Sequence, residues 1–171
     1  MNVEPSGQSF GALIHDLNLT EPLSASQYRA LRDIWLDHQV IGITGQSLSL
    51  DQLEQFATGL GPFGDDPFIA ALPDHKHIIE VRREADETTS LFADNWHSDW
   101  SFLEQPPAGT LLYGSVIPPV GGDTLFANLY AAYEALPSDL LKQADGLTAI
   151  HSARLGYSPK GRFGEKDKGQ G

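Results

Sequence analysis

The order of apolar and polar positions in the first sixty residues predicts alternating strands and helices. Residues 9–14 form a short apolar run, and residues 40–43 form another, so both are predicted as strands. Two segments begin with the serine and glutamine spacing of a capping box, Ser24 with Gln27 and Ser49 with Gln52. Each is followed by residues that recur at helical spacing and form one stripe: Tyr28, Leu31, Trp35 and His38 in one helix, and Leu53, Phe56, Ala57 and Leu60 in the next. Gly61-Pro62 ends the second helix.

The pattern changes after residue 65 to short apolar runs separated by glycine and proline. We predict strands at 78–81, 110–117, 124–126 and 147–151. One helix is predicted from the cap Asn128 to about Leu136, and a second from Pro137-Ser138 to about Ala144. Short strands with such turns indicate a sandwich or barrel with helices packed outside. Residues 156–171 are rich in glycine and lysine and are predicted to be a mobile loop.

Composition narrows the possible functions. The length of 171 residues suits one domain, and the formal charge of 11 − 23 = −12 disfavours nucleic acid or an anionic membrane as a partner. With no cysteine, disulfides, zinc–thiolate sites and cysteine nucleophiles are excluded. A metal would have to be held by His, Asp, Glu or backbone oxygen. No apolar run approaches the roughly 20 residues that span a bilayer, so a cytoplasmic location is the default expectation.

The segment Asn-Trp-His-Ser-Asp-Trp at residues 95–100 holds the most informative polar residues. In a strand, His97 and Asp99 would point to the same face, because side chains alternate. One imidazole and one carboxylate side by side provide two corners of the facial triad of non-haem Fe(II) oxygenases. For an isolated match, a histidine that merely lies near an aspartate is the commoner explanation.

The neighbouring segments extend this match. Pro-Pro-Ala-Gly-Thr-Leu-Leu-Tyr follows at 106–113, Pro-Pro-Val-Gly-Gly-Asp-Thr at 118–124, and Asn-Leu-Tyr-Ala-Ala-Tyr-Glu-Ala-Leu-Pro at 128–137. This ordered set resembles the TauD/TfdA family of Fe(II)- and 2-oxoglutarate-dependent dioxygenases over about residues 8–155. The resemblance implies an α+β fold with a double-stranded β-helix (jelly-roll) core and flanking helices, incomplete at the C-terminus. Residues 1–155 would be the N-terminal portion of the dioxygenase domain, and 156–171 a flexible Gly/Lys-rich loop or tail.

The resemblance also assigns roles to residues. His97 and Asp99 would bind Fe(II), and Thr124 would hydrogen-bond a carboxylate of the co-substrate 2-oxoglutarate. Asn95 and Arg154 are candidates for contact with a small acidic substrate. Simpler interpretations remain open: a strand threonine for Thr124, a turn-capping amide for Asn95 and a solubilising surface residue for Arg154. The implied reaction consumes O2 and 2-oxoglutarate, hydroxylates the substrate and releases succinate and CO2.

Two family features are expected beyond residue 171, namely the second histidine ligand and the arginine that pairs with 2-oxoglutarate. Within the chain, His151 is a weak candidate for the third ligand, and His75 with His77 for a metal pair, although solvated side chains are favoured there. The alternative function is a catalytically inactive, truncated jelly-roll fragment that acts as a binding or partner-dependent module. The resemblance and an open sheet edge also suggest a homo-oligomer.

Overall fold

The computed structural model describes residues 1–64, 66, 68–88 and 95–154. These residues form three strands and four helices: β1 (Asn2–Pro5), β2 (Ala12–His15), α1 (Ala25–His38), β3 (Ile41–Ile43), α2 (Leu50–Leu60), α3 (Leu129–Glu134) and α4 (Ser138–Ala144). The chain divides into two compact units. The first contains residues 1–60 and 112–149, and the second contains the described parts of 61–111 and 150–154. Among the described residues, no helix combines the length and apolarity that crossing a membrane requires.

The three strands of the first unit form one small mixed sheet in the order β1-β2-β3. β1 runs antiparallel to β2, and β2 runs parallel to β3, with α1 as the connection between the parallel pair. His15 ties the sheet together, since its Nε2 lies 2.9 Å from Glu4 Oε2 on β1 and its Nδ1 lies 3.1 Å from Thr44 Oγ1 just after β3.

Both predicted capping boxes are present. The Gln27 backbone N–H donates to Ser24 Oγ while the Ser24 backbone N–H donates to the Gln27 side chain. Ser49 and Gln52 exchange the same pair of hydrogen bonds at the start of α2. α1 ends at His38, and the next residue, Gln39, has a left-handed φ of 65° and donates its backbone N–H to Trp35 O at 2.6 Å. These local contacts fix where both helices begin and where α1 ends.

The hydrophobic core lies between α1, α2 and the segments that follow β2. Ile14 and Leu31 are almost completely buried, at 0% and 1% exposure. Leu17, Leu19 and Phe56 complete the buried cluster, and partly buried apolar residues surround it. All of these residues belong to the first sixty, so the segment from β1 to α2 has a core of its own.

Several strand predictions are wrong for the described residues. The strand predicted at 9–14 begins only at Ala12, and β1 was not predicted. The segments 78–81, 110–117, 124–126 and 147–151 belong to no strand. A strand requires a neighbour for its backbone N–H and C=O groups, and no sheet ladder joins these four segments to any described part of the chain.

The helix predictions hold more closely. α3 begins after its predicted cap, with the Ala131 N–H donating to Asn128 Oδ1, but ends at Glu134 rather than near Leu136. α4 matches Ser138 to Ala144. The described residues thus confirm a mixed helix and sheet composition but contain only the three-stranded sheet rather than a jelly roll. The tail prediction for 156–171 lies outside the described residues.

Candidate metal centre

His97 and Asp99 lie in a segment of the second unit that enters a turn. Residues 96–98 belong to no strand, and the backbone turns at Asp99 and Trp100. Trp100 has a φ of 46°, which is left-handed and unusual for a bulky side chain. The Leu103 N–H donates to Trp100 O at 2.9 Å and closes the turn. The strand geometry expected at this motif is therefore wrong, but the turn still brings the two side chains together.

The imidazole of His97 and the carboxylate of Asp99 face each other directly. His97 Nε2 lies 3.0 Å from Asp99 Oδ1, and the two side chains are 49% and 46% exposed. A pair this accessible contributes only about 0 to 1 kcal/mol to folding, because water competes for both groups. The pair therefore adds little to the stability of the fold.

A backbone carbonyl determines which nitrogen of His97 is available. His97 Nδ1 lies 2.7 Å from the carbonyl oxygen of Asn95. A carbonyl oxygen only accepts, so Nδ1 carries the hydrogen, and Nε2 of the neutral ring presents a lone pair. That lone pair faces a carboxylate oxygen, an arrangement that is repulsive until a proton or a metal ion lies between them. This orientation of a ring by a carbonyl is typical of histidines that bind metals.

The separation of the two donor atoms fits a shared divalent ion. Two atoms that each lie about 2.1 Å from one ion are about 3.0 Å apart when their bonds meet at a right angle. Neighbouring ligands of an octahedral ion meet at that angle, and the observed Nε2 to Oδ1 distance is 3.0 Å. Imidazole and carboxylate are also the donor set of the facial triad. His97 and Asp99 therefore fit two of the protein positions on an iron ion.

Thr110 is a site residue that the sequence did not reveal. Its hydroxyl donates to Asp99 Oδ2 at 2.8 Å, on the carboxylate oxygen that does not face His97. The contact joins residues eleven positions apart, and no periodicity or motif spacing indicates it. The segment Asn95 to Thr110 thus holds the His97 and Asp99 side chains by hydrogen bonds to the atoms that do not face each other.

Asp66 supports the turn from another part of the second unit. Its Oδ1 accepts hydrogen bonds from the backbone N–H groups of Phe68, at 2.7 Å, and Ile69, at 3.0 Å. Its Oδ2 accepts from Trp100 Nε1 at 3.1 Å. Phe102 packs edge-on against Phe68 with ring centroids 5.7 Å apart. This contact set anchors the residue that follows Asp99.

The other histidines considered as ligands have different neighbours. His151 Nδ1 lies 2.7 Å from Ser101 Oγ, two positions beyond Asp99. The backbone N–H of His75 donates to Leu72 O within a turn, and the His77 ring stacks on Phe63 with ring centroids 4.0 Å apart. His75 and His77 are therefore not on the strand that would have made them alternate.

The remaining candidates, Asn95, Arg154 and Thr124, have the following surroundings. Asn95 contributes its backbone carbonyl, and Arg154 donates its backbone N–H to Ser152 Oγ at 3.2 Å. Thr124 belongs to the first unit, where it is exposed and follows two glycines with φ of 82° and 75°. Left-handed backbone at both positions explains Gly121-Gly122, since side chains are disfavoured there.

Comparison with known proteins finds matches to dioxygenases. A sequence model of the taurine catabolism dioxygenase TauD, TfdA family matches residues 2–169. The chain is 35% identical over 160 residues to an alpha-ketoglutarate-dependent 2,4-dichlorophenoxyacetate dioxygenase of Cupriavidus pinatubonensis, a match that covers 84% of this chain and 55% of that protein. It is 32% identical over 159 residues to an alpha-ketoglutarate-dependent sulfate ester dioxygenase of Pseudomonas putida, covering 92% and 52% respectively.

A solved structure agrees with these sequence matches. The crystal structure of a taurine dioxygenase from Burkholderia xenovorans superposes with a TM-score of 0.67 at 28% identity, covering 85% of this chain and 51% of that one. The chain spans about half the length of the curated relatives it matches.

Proposed function

The chain belongs to the taurine catabolism dioxygenase TauD, TfdA family, and from this premise we propose that the protein carrying it is an Fe(II)- and 2-oxoglutarate-dependent oxygenase. The observation that supports this most strongly is the His97 Nε2 to Asp99 Oδ1 pair, whose 3.0 Å separation suits two ligands of one ion. The names of the relatives, which are alpha-ketoglutarate-dependent dioxygenases, favour the oxygenase over an inactive binding module.

His97 Nε2 and Asp99 Oδ1 would hold the iron. The chemistry that the iron supplies when bound is oxidation of a substrate C–H bond, coupled to conversion of 2-oxoglutarate and O2 to succinate and CO2. The Asn95 carbonyl keeps the hydrogen on His97 Nδ1, so that Nε2 can donate its lone pair. The facial triad needs a second histidine, which the family resemblance places beyond residue 171. The activity is therefore proposed for the whole protein.

Thr124 is proposed to bind a carboxylate of 2-oxoglutarate through its hydroxyl. The two left-handed glycines before it give the backbone freedom to present this exposed side chain. Arg154 and Asn95 are proposed to contact the substrate, since a guanidinium pairs well with sulfonate, sulfate and carboxylate groups. The relatives act on a chlorophenoxyacetate and on sulfate esters, so we infer a small organic acid as substrate.

The function is tested with the full-length protein, Fe(II), O2 and 2-oxoglutarate. Succinate is measured across a panel of alkyl sulfates, alkyl sulfonates and phenoxy carboxylic acids. We expect at least one class to raise succinate formation well above the level without substrate. If no class does, the proposed substrate chemistry is wrong.

The metal site is tested by His97→Ala. This variant is expected to abolish Fe(II) binding and succinate formation, because it removes Nε2, the proposed ligand atom that faces Asp99. His77→Ala is the matched control, since it removes an imidazole that stacks on Phe63 and should leave the iron content unchanged. Equal iron content in His97→Ala and the wild type would overturn the facial-triad assignment.

A cytoplasmic location and a homo-oligomer remain predictions beside this proposal. Sedimentation of the purified full-length protein tests the second of them.

A further inference from the structure

The two oxygens of the Asp99 carboxylate have different partners. Oδ1 faces His97 Nε2 at 3.0 Å, whereas Oδ2 accepts a hydrogen bond from Thr110 Oγ1 at 2.8 Å. An ionised carboxylate only accepts, so the Thr110 hydroxyl is the donor. The hydrogen bond therefore distinguishes one oxygen from the other and fixes the rotation of the carboxylate.

This distinction matters for a metal site that must stay open. A carboxylate can bind an ion through one oxygen or through both, and the second mode occupies an additional position on the metal. In the facial triad, three positions remain for the co-substrate and O2. A side chain that engages Oδ2 favours binding through Oδ1 alone and so keeps one of these positions free.

We propose that Thr110 is a positioning residue that holds Asp99 as a one-oxygen ligand. The proposal rests on the proposed function, because it requires that His97 and Asp99 bind the metal. Thr110 would act through the carboxylate and would not itself touch the iron or the substrate. Groups that orient a metal ligand in this way commonly change metal affinity about 10- to 100-fold when they are removed.

The surroundings of Thr110 indicate that this contact serves the site more than the fold. Thr110 is exposed, so water could satisfy its hydroxyl in place of Asp99. The carboxylate is also close to half exposed. Loss of the hydrogen bond should therefore alter metal binding while the folded structure is retained.

The test compares Thr110→Val with Thr110→Ser in the full-length protein. Valine keeps the shape of threonine without the hydroxyl, whereas serine keeps the hydroxyl. Thr58→Val is the matched control, because the Thr58 hydroxyl also donates at 2.8 Å, to Glu54 O within α2. Co(II) is titrated as the probe, since its visible absorption reports both its affinity and its coordination number. Circular dichroism reports folding in parallel.

We expect Thr110→Val to bind Co(II) about 10- to 100-fold more weakly, because the Asp99 carboxylate is no longer held in one orientation. We also expect an altered absorption band, because both carboxylate oxygens become available to the metal. Thr110→Ser and Thr58→Val should resemble the wild type. If Thr110→Val matches Thr58→Val in affinity and spectrum, the inference about Thr110 is wrong, while the proposed metal site stands.

Two further outcomes are also decisive. If the wild type binds no Co(II), the proposed metal site fails and the role of Thr110 fails with it. If Thr110→Val does not fold, Thr110→Ala takes its place in the comparison with Thr110→Ser. Equal Co(II) binding by the alanine and serine variants would then overturn the inference.

Discussion

The Asn95 to Thr110 segment illustrates how much a few hydrogen bonds can determine at single residues. The Asn95 carbonyl selects the tautomer of His97, and the Thr110 hydroxyl selects the oxygen of Asp99. The Asn95 carbonyl and the Thr110 hydroxyl are not proposed metal ligands. Together they leave His97 Nε2 and Asp99 Oδ1 facing each other. Metal affinity should therefore depend on residues that never touch the metal.

Gly59 shows an equally local constraint where α2 packs against α1. A Cβ atom built at this position of α2 would overlap the ring of Tyr28 on α1. The Tyr28 ring also stacks near Phe56 with centroids 6.1 Å apart, and its burial raises the pKa of the phenol above its usual value. The absence of a side chain at Gly59 thus allows α1 and α2 to approach each other.

Gly59→Ala is expected to lower the free energy of unfolding by about 0 to 2 kcal/mol. Overpacking costs about 1 to 3 kcal/mol, and the roughly 1 kcal/mol that alanine gains over glycine in a helix offsets part of this cost. Urea denaturation measures the difference. Gly61→Ala is the control, because a Cβ there would meet open space, and it should change stability by less than about 0.5 kcal/mol. A more stable Gly59→Ala protein would contradict the packing described here.

At the scale of elements, the helices were predictable and the later strands were not. The start of α1 is signalled by Ser24 with Gln27, and the start of α3 by Asn128. Such signals are visible in the sequence because a helix satisfies its own hydrogen bonds within a few residues. Segments such as 110–117 have strand-like sequences, but a strand needs a partner that the local sequence does not contain. The same reasoning applies to the site, where the motif identified His97 and Asp99 but gave no signal for Thr110 or Asp66.

The turn after Asp99 depends on the contact between Asp66 and Trp100. Asp66→Ala and Trp100→Phe should each destabilise the turn, because each removes the 3.1 Å hydrogen bond between the carboxylate and the indole N–H. We expect a coupling energy of about 1 kcal/mol in a double-mutant cycle measured by denaturation. Strictly additive effects would show that the two side chains do not hold the turn jointly.

At the scale of the whole molecule, large apolar side chains of the first unit remain in contact with water. Val116 is 90% exposed, Val120 87%, Tyr130 77% and Leu147 74%. Removing such side chains from water by association would be favourable, because burial of apolar surface stabilises contacts between proteins. The net charge of −12 opposes association through mutual repulsion, so the two effects compete.

The 171-residue chain by itself is therefore expected to associate as salt screens its charge. Raising the ionic strength from about 0.01 M to 1 M shortens the screening length from about 30 Å to 3 Å. Sedimentation velocity at both salt concentrations, with binding of a hydrophobic dye, measures the effect. A chain that stays monomeric and dye-free at high salt would contradict the exposure of these side chains.

The separate core of the first sixty residues has a consequence for biosynthesis. Ile14, Leu31 and Phe56 are all translated before the His97 to Asp99 segment. At translation rates of about 5 to 20 residues per second, the first sixty residues emerge ahead of the proposed metal-binding side chains and can begin to fold first. The imidazole and the carboxylate would then follow a segment of the chain that already buries its own apolar residues.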